Sequence, residues 1–574
     1  MKSILTLLAA LLLASVAQAS TFVVNPAQAG ANDANSGSDA QPLRTIGRAT
    51  ALVQPGDLVQ IHSGVYREKV TITQSGTKEH PILFVAAPGA TVVITGADPL
   101  TGWSKEMDGT YSVHWPHRLF QGDNHNPGGA EQVFVAGGLL RKVSSLNELA
   151  EGTFFVDLQR QRLHLRAERN PDETQAERPV EGSTRTEVWI VTGTHVQTRG
   201  LHFRYAANRA QQAMAQFRAA QAVVEDCTFE WSNSTGAAFG AEDITVRRCI
   251  FQDNGQQGFT ANQAHRLRFD GCTVQRNNVK NYPRGWEAGG DKLCSTHGAI
   301  LENSRFLKNH GNGVWFDISN MGCVVRNCLI ADNEDAGIFY EISYGLHAHD
   351  NVIVGNGLVN TKGAWGANGG ICVSSSPGCV IERNLIVGNQ QGFCFREQNR
   401  TTRPVEGAKG EKIPVWNHDE IIRDNLIAQN VTAQVQGWFD IATERHWPKA
   451  MQTGKTGGGK AGADVAAGYQ ASKDLVSPDL ALEDLKIIFQ NNHYALQPGQ
   501  PFFIWGANWK RKQEFNGLDN LTHTLGFEDS RSRIISALPV DAVKCDFRLP
   551  KEHPAIAAGA YPQGNVPDCV LGGR

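Results

Sequence analysis

The segment Cys323-Val324-Val325-Arg326-Asn327-Cys328-Leu329-Ile330, followed by Asp332-Asn333 and then Gly337-Ile338-Phe339-Tyr340-Glu341, is one unit of a repeat. Alternation with period two, bounded by Asn and Gly, is the pattern of short strands. The same marks, Cys, Ser or Asn five residues before Asn or Ser, recur at Cys227/Ser232, Cys249/Asn254, Cys272/Asn277, Ser304/Asn309, Cys328/Asn333, Asn351/Asn356, Asn384/Asn389 and Asn425/Asn430. Most intervals are 22 to 24 residues, with longer ones after Cys272, Asn351 and Asn384. A unit of this length with strands and no helical pattern cannot bury its apolar face alone, so neighbours stack into a continuous core. The fold class is therefore all-β, a parallel β-helix; the Leu-x-x-Leu-x-Leu signature of leucine-rich repeats is absent.

The repeated turn asparagines, from Asn254 to Asn430, read as architecture. Their amides can bond the local backbone and the Asn one coil away, and Asn tolerates left-handed turns. Cys227, Cys249, Cys272 and Cys328 occupy equivalent repeat positions and read as buried thiols behaving as small hydrophobes. Cys545 and Cys569, outside the ladder, are the candidate disulfide partners.

Working outward, Lys2, the apolar run Ile4–Val16 and Ala17-Gln18-Ala19 have the form of a secretory signal with cleavage near Ala19, which implies a secreted or periplasmic product. Thr45–Val53 reads as a short amphipathic helix that caps the open end of the β-helix. The chain divides into a signal peptide over 1–19, an N-terminal cap and first coils over 20–102, an inserted β-rich module over 103–185, the central β-helix over 186–436, a flexible insertion over 437–480, and last coils with a C-terminal cap over 481–574. The 54 basic and 57 acidic residues balance, leaving no electrostatic footprint for nucleic acid or membrane. No ligand spacing for structural zinc occurs, and Gly454-Lys455-Thr456 lacks the preceding strand and Gly of a phosphate loop. Oligomeric state is not encoded in any recognisable feature.

Aligned on the Gly that follows each turn Asn, Gly313, Gly337, Gly370 and Gly392 share a column, and four residues later come Asp317, Glu341, Ser374 and Arg396. Alternation sends Val314, Phe316, Ile338 and Tyr340 inward and leaves Trp315, Asp317, Phe339 and Glu341 outward. Adjacent strands lie ~4.8 Å apart, so the two carboxyls should stand roughly 5 Å apart. That is the separation of a retaining glycosidase, since inverting enzymes need ~6.5 to 9.5 Å. Directly opposed like charges are destabilising, which argues against two incidental surface acids, and outward Trp315 and Phe339 offer faces for a sugar ring. Arg396 falls in register with the acids, while counting by 24 puts Leu293 in the Asp317 column, so Lys292 faces outward only if a bulge intervenes. The insertions at 279–289 and 357–369 are placed to wall a cleft.

The segments Trp286-Glu287-Ala288-Gly289-Gly290-Asp291-Lys292, His310-Gly311-Asn312-Gly313-Val314-Trp315-Phe316-Asp317 and Ala336-Gly337-Ile338-Phe339-Tyr340-Glu341-Ile342-Ser343 resemble right-handed parallel β-helix proteins of the pectate-lyase-like superfamily, and more narrowly the β-xylosidases of glycoside hydrolase family 120. The resemblance implies a right-handed coil, a polysaccharide or oligosaccharide substrate, Asp317 as nucleophile and Glu341 as acid/base. Trp315, Phe339, Arg396, Lys292 and Glu287 are the candidate substrate-binding residues, with no cofactor. Two alternatives stay open: a polysaccharide lyase using Lys292 or Arg396 as base, with calcium held by Asp317 and Glu341, and a non-catalytic glycan-binding β-helix.

Overall fold

The computed structural model describes residues 19–107, 109–122, 129–359, 368–397, 400–403, 413–439, 485–496, 499–507, 511–519, 531–536, 538 and 541–572. The leader before Ala19 and the 437–480 insertion beyond Phe439 lie outside these residues. Three sheets of 13 strands each run the length of the described chain, and each coil contributes one strand to each sheet in turn. Pairing is parallel, as in Val324↔His347 in the first sheet, Val314↔Ile338 in the second and Leu329↔Val352 in the third, except at the end of the second sheet, where Arg511–Phe515 pairs antiparallel with Phe503–Ala507. The chain is a right-handed parallel β-helix.

Inward residues form one continuous core. Phenylalanines from successive coils stack in it, with Phe203, Phe229 and Phe251 at 4.9 Å centroid spacing and Phe259 and Phe269 at 4.6 Å. At the turns, each ladder Asn from Asn254 to Asn389 bonds two neighbouring coils, while Asn430 ends the ladder on Gln434 of its own turn. Asn333 receives the Asn309 backbone N–H on Oδ1 at 3.1 Å, and its Nδ2 donates to Phe306 O at 3.0 Å and to Asn356 Oδ1 at 2.8 Å. The left-handed backbone falls one residue earlier than expected, at Asp253, Arg276, Lys308 and Asp332, each just before the ladder Asn. The turn is thus set by the preceding residue, which leaves the Asn backbone free to donate along the ladder.

Cys227, Cys249, Cys272 and Cys328 are buried in the hydrophobic core as small side chains, and their sulfurs also make weak polar contacts. Cys227 Sγ donates to Glu225 O at 3.2 Å, and Cys249 N–H meets Cys272 Sγ at 3.4 Å, the contact that Cys328 N makes with Asn351 Oδ1 at 3.0 Å. All eleven cysteines are free thiols, including Cys545 and Cys569.

A helix, Ile46–Thr50, buries Ile46 and Ala49 on the first coils, with Thr45 as its N-cap and Glu68 accepting from Ile46 N and Gly47 N at 3.0 and 2.8 Å. Between the third-sheet strand Val92–Thr95 and the second-sheet strand Trp189–Val191 the chain leaves the coil and builds two small, mostly antiparallel sheets around Trp103, Trp115 and Phe154. The tail over 541–572, expected as an end cap, instead packs Phe547, Leu549 and Tyr561 along the flank of the third sheet. The reason is local: in these coils the outward third-sheet column is apolar, with Leu329, Val352, Leu385 and Leu426, and must be covered.

Candidate active site

The site lies on the outward face of the second sheet, on strands Gly289–Cys294, Val314–Asp317, Ile338–Glu341, Gly369–Ser374 and Gln391–Glu397. One outward column runs Trp315, Phe339, Cys372, Cys394, and the next Asp317, Glu341, Ser374, Arg396. Asp317 and Glu341 are direct register partners. The coil before them corrects the counting: Leu293 pairs with Phe316 and Cys294 with Asp317, and the isolated bridge Gly289↔Asn312 has the same offset of 23. With that offset Leu293 points into the core and Lys292 points outward with no added residue.

The two acids are not solvated; they are 7% and 6% exposed. Trp315 and Phe339 face away from the helix interior yet are also covered, stacked at 5.7 Å in a cluster with Ala336, Cys372 and Cys394. Lys292 Nζ is 2.8 Å from Asp317 Oδ2 and 3.4 Å from Glu287 Oε1, and sits 4.3 Å from the centroid of the Trp315 ring. Asp317 Oδ1 is buried and has no hydrogen-bond partner. Trp315 Nε1 donates to Glu341 Oε1 at 3.1 Å, and Glu341 Oε2 lies 3.5 Å from both Arg396 Nη2 and Arg400 Nη1. The wholly buried Arg396 also donates from Nε to Ser374 Oγ at 3.0 Å and lies over Phe339.

Burial first, then the Asp317 charge, raises the Glu341 carboxyl above its ordinary range, against the downward pull of Arg396, Arg400 and Lys292. For Lys292, burial lowers the amine, but Asp317 and Glu287 outweigh it and leave it raised. The result is two adjacent carboxyls in unlike settings, one salt-bridged and one favouring its proton, as acid and base roles require.

A pocket of about 140 Å³ opens over the pair, floored by Lys292, Trp315, Asp317, Phe339 and Glu341. Its rim holds residues that repeat alignment did not single out. Arg284, from the 279–289 insertion, pairs with Glu334 at 2.9 Å and Asp335 at 3.6 Å. Arg400 comes from a hairpin, Arg400–Thr402 with Ile413–Val415, tethered by Thr402 and Arg403 to Ser319 just beyond Asp317. The long interval after Asn384 was the only sequence signal for that hairpin. The 357–369 insertion lies mostly outside the described residues. The described residues contain no cluster of three or more His, Cys, Asp or Glu side chains suited to a metal ion.

Residues 214–386 match a family model described as the right handed beta helix region, and residues 29–74 match a protein family of unknown function, DUF1565. No curated protein matches the sequence. Among solved structures, the complex of XylC with xylose is similar at 15% identity and a TM-score of 0.63, covering 85% of this chain and 86% of that one. A mannuronic-acid-specific family 6 polysaccharide lyase from human gut microbiota aligns at 11% identity and a TM-score of 0.46, over 95% of this chain and 96% of its own. A GH136 lacto-N-biosidase from Eubacterium ramulus aligns at 14% identity and a TM-score of 0.40, over 66% of this chain and 64% of its own.

Proposed function

We propose that this right-handed parallel β-helix protein is a retaining glycoside hydrolase. The observation that carries the reading is the direct register of Asp317 and Glu341 on adjacent strands, because strands ~4.8 Å apart suit a nucleophile and an acid/base but leave no room for the water of an inverting enzyme. Asp317 Oδ1, the oxygen without a partner, attacks the anomeric carbon while Lys292 holds Oδ2. The bond to the leaving oxygen breaks as that oxygen takes the Glu341 proton. Arg396, Arg400 and the Trp315 indole then face the new carboxylate. In the second half, Glu341 takes a proton from water, the hydroxide oxygen bonds to the anomeric carbon, and the ester to Asp317 breaks, returning the original configuration.

The calcium-dependent lyase alternative is disfavoured by charge. Asp317 is already ion-paired with Lys292 and Glu341 is flanked by two guanidinium groups, so a divalent cation placed between them would face three nearby positive charges. A β-xyloside is the first substrate to test, since XylC was solved with xylose.

The test is hydrolysis of a panel of aryl glycosides followed by NMR of the first-formed anomer. Asp317→Ala should lose activity by roughly 10³-fold or more, and azide should restore turnover as a glycosyl azide of inverted configuration. An inverted product from the wild type, or an active Asp317→Ala protein, sinks the reading. Export is part of the same proposal, and its check is N-terminal sequencing of secreted or periplasmic protein, with Ser20 expected near the start.

A further inference from the structure

One inward column of the second sheet runs Trp189, Ala215, Ala237, Phe259, Asp291 and, beyond it, Val314, Ile338, Ile371, Phe393 and Val435. Every one of these is apolar except Asp291, which is fully buried. Burying a carboxyl among apolar side chains is costly, and a core position that breaks the pattern calls for a compensating role.

The structure around Asp291 supplies one. The ladder between Gly289–Cys294 and Val314–Asp317 pairs only at its end, through Leu293↔Phe316 and Cys294↔Asp317, with the bridge Gly289↔Asn312 behind. In the gap, Asp291 Oδ1 accepts the Trp315 backbone N–H at 2.9 Å. A regular parallel ladder would offer that N–H a backbone carbonyl of the facing strand. The second oxygen, Oδ2, is buried with no partner, and burial pushes the carboxyl well above its usual range, against the lowering bond from the Trp315 backbone. Trp315 in turn touches both halves of the candidate pair. Its indole N–H reaches Glu341 at 3.1 Å, and its ring face carries the Lys292 ammonium that holds Asp317.

We propose that Asp291 is a positioning residue, a side chain that replaces a missing ladder carbonyl to fix Trp315 and, through Trp315, the proton donor Glu341. This rests on the reading of Glu341 as acid/base. The gap in the ladder lets the Trp315 backbone settle at a height chosen by a carboxyl rather than by strand register. A hydrophobic residue in the same column would bury more apolar area and leave that N–H unmet.

The experiment compares Asp291→Leu, Asp291→Asn and Trp315→Phe on two substrates of one sugar, the phenyl and the 2,4-dinitrophenyl β-xylosides or the corresponding pair of the sugar turned over in the panel. The phenolate needs a proton to leave and the dinitrophenolate does not. Asp291→Leu should lower kcat/KM, which reports the step that expels the leaving group, for the phenyl glycoside by about 10- to 100-fold and for the dinitrophenyl glycoside by far less. Asp291→Asn, which keeps an acceptor, should restore most of the loss. In the Trp315→Phe background, Asp291→Leu should add little further loss on the phenyl substrate, because both act through one contact. Equal losses on both substrates, full additivity with Trp315→Phe, or an Asn variant as impaired as the Leu variant would overturn the proposal. If Asp291→Leu does not fold, the Asn variant still decides: proton-dependent activity close to wild type supports the acceptor role, and its loss refutes it. Glu341→Ala run in parallel separates the two levels. If it keeps full activity on the phenyl glycoside, the hydrolase reading fails; if it loses that activity while Asp291→Leu does not, only the positioning role fails.

Discussion

Glu341 is held between opposing influences, and pH exposes them. Burial and Asp317 raise its carboxyl, while Arg396, Arg400 and Lys292 lower it. Because the acid must be protonated to work, kcat/KM should fall as pH rises through the raised Glu341 value, a limb above the ordinary carboxylate range. Arg400→Met removes one of the lowering charges, so that limb should move to higher pH; a limb that stays put or moves down would separate Arg400 from the acid. Glu341→Ala should lose poor-leaving-group substrates by about 10²- to 10⁴-fold, and azide should give a glycosyl azide of retained configuration, opposite to the Asp317→Ala product. At this scale the sequence was readable where alternation and register suffice, as for Asp317, Glu341 and Arg396. It misled at Lys292 because a 24-residue ruler was laid over a 23-residue step. Arg400 was unreadable, since a residue inside an insertion has no column to be counted in.

The turn ladders are where single residues have the largest structural effect. Asn333 is fully buried and joins three coils through its backbone and both amide atoms. Asn333→Ala leaves several of these groups unmet, and each unsatisfied buried group costs about 1 to 3 kcal/mol. Urea unfolding should therefore show a loss of roughly 3 kcal/mol or more, with hydrogen exchange accelerating in the coils on either side before those near the N-terminal helix, as expected when each coil contacts only its neighbours. A uniform acceleration along the chain would mean that the ladder is not a local device. The Asn spacing announced this element, but the left-handed residue before the Asn was not legible as a column, because Asp253, Arg276, Lys308, Asp332, Gly355, Gly388 and Gln429 occupy it with no shared residue type.

At the scale of the molecule, the repeat made the three-sided coil legible, while the course of the tail was not. Its packing on the third sheet follows from apolar residues such as Leu329 and Leu385, which alternation alone would have left facing water. The longer excursions within the coils border the sheet that carries the carboxyls. The module between Thr95 and Trp189 and the insertions after Asn277 and Asn356 enter it from the third sheet, and the hairpin bearing Arg400 leaves it toward the first. Chain has been added at the two rims of one face while the strand-to-strand step between Asp317 and Glu341 stays at a bare coil. For protein engineering this separates two tasks that are entangled in most enzymes. Loop grafts at either rim can remodel what enters the pocket without touching the spacing of the reacting groups, which is set by the direct register of Asp317 and Glu341 and is kept although neighbouring coils differ in length by a residue.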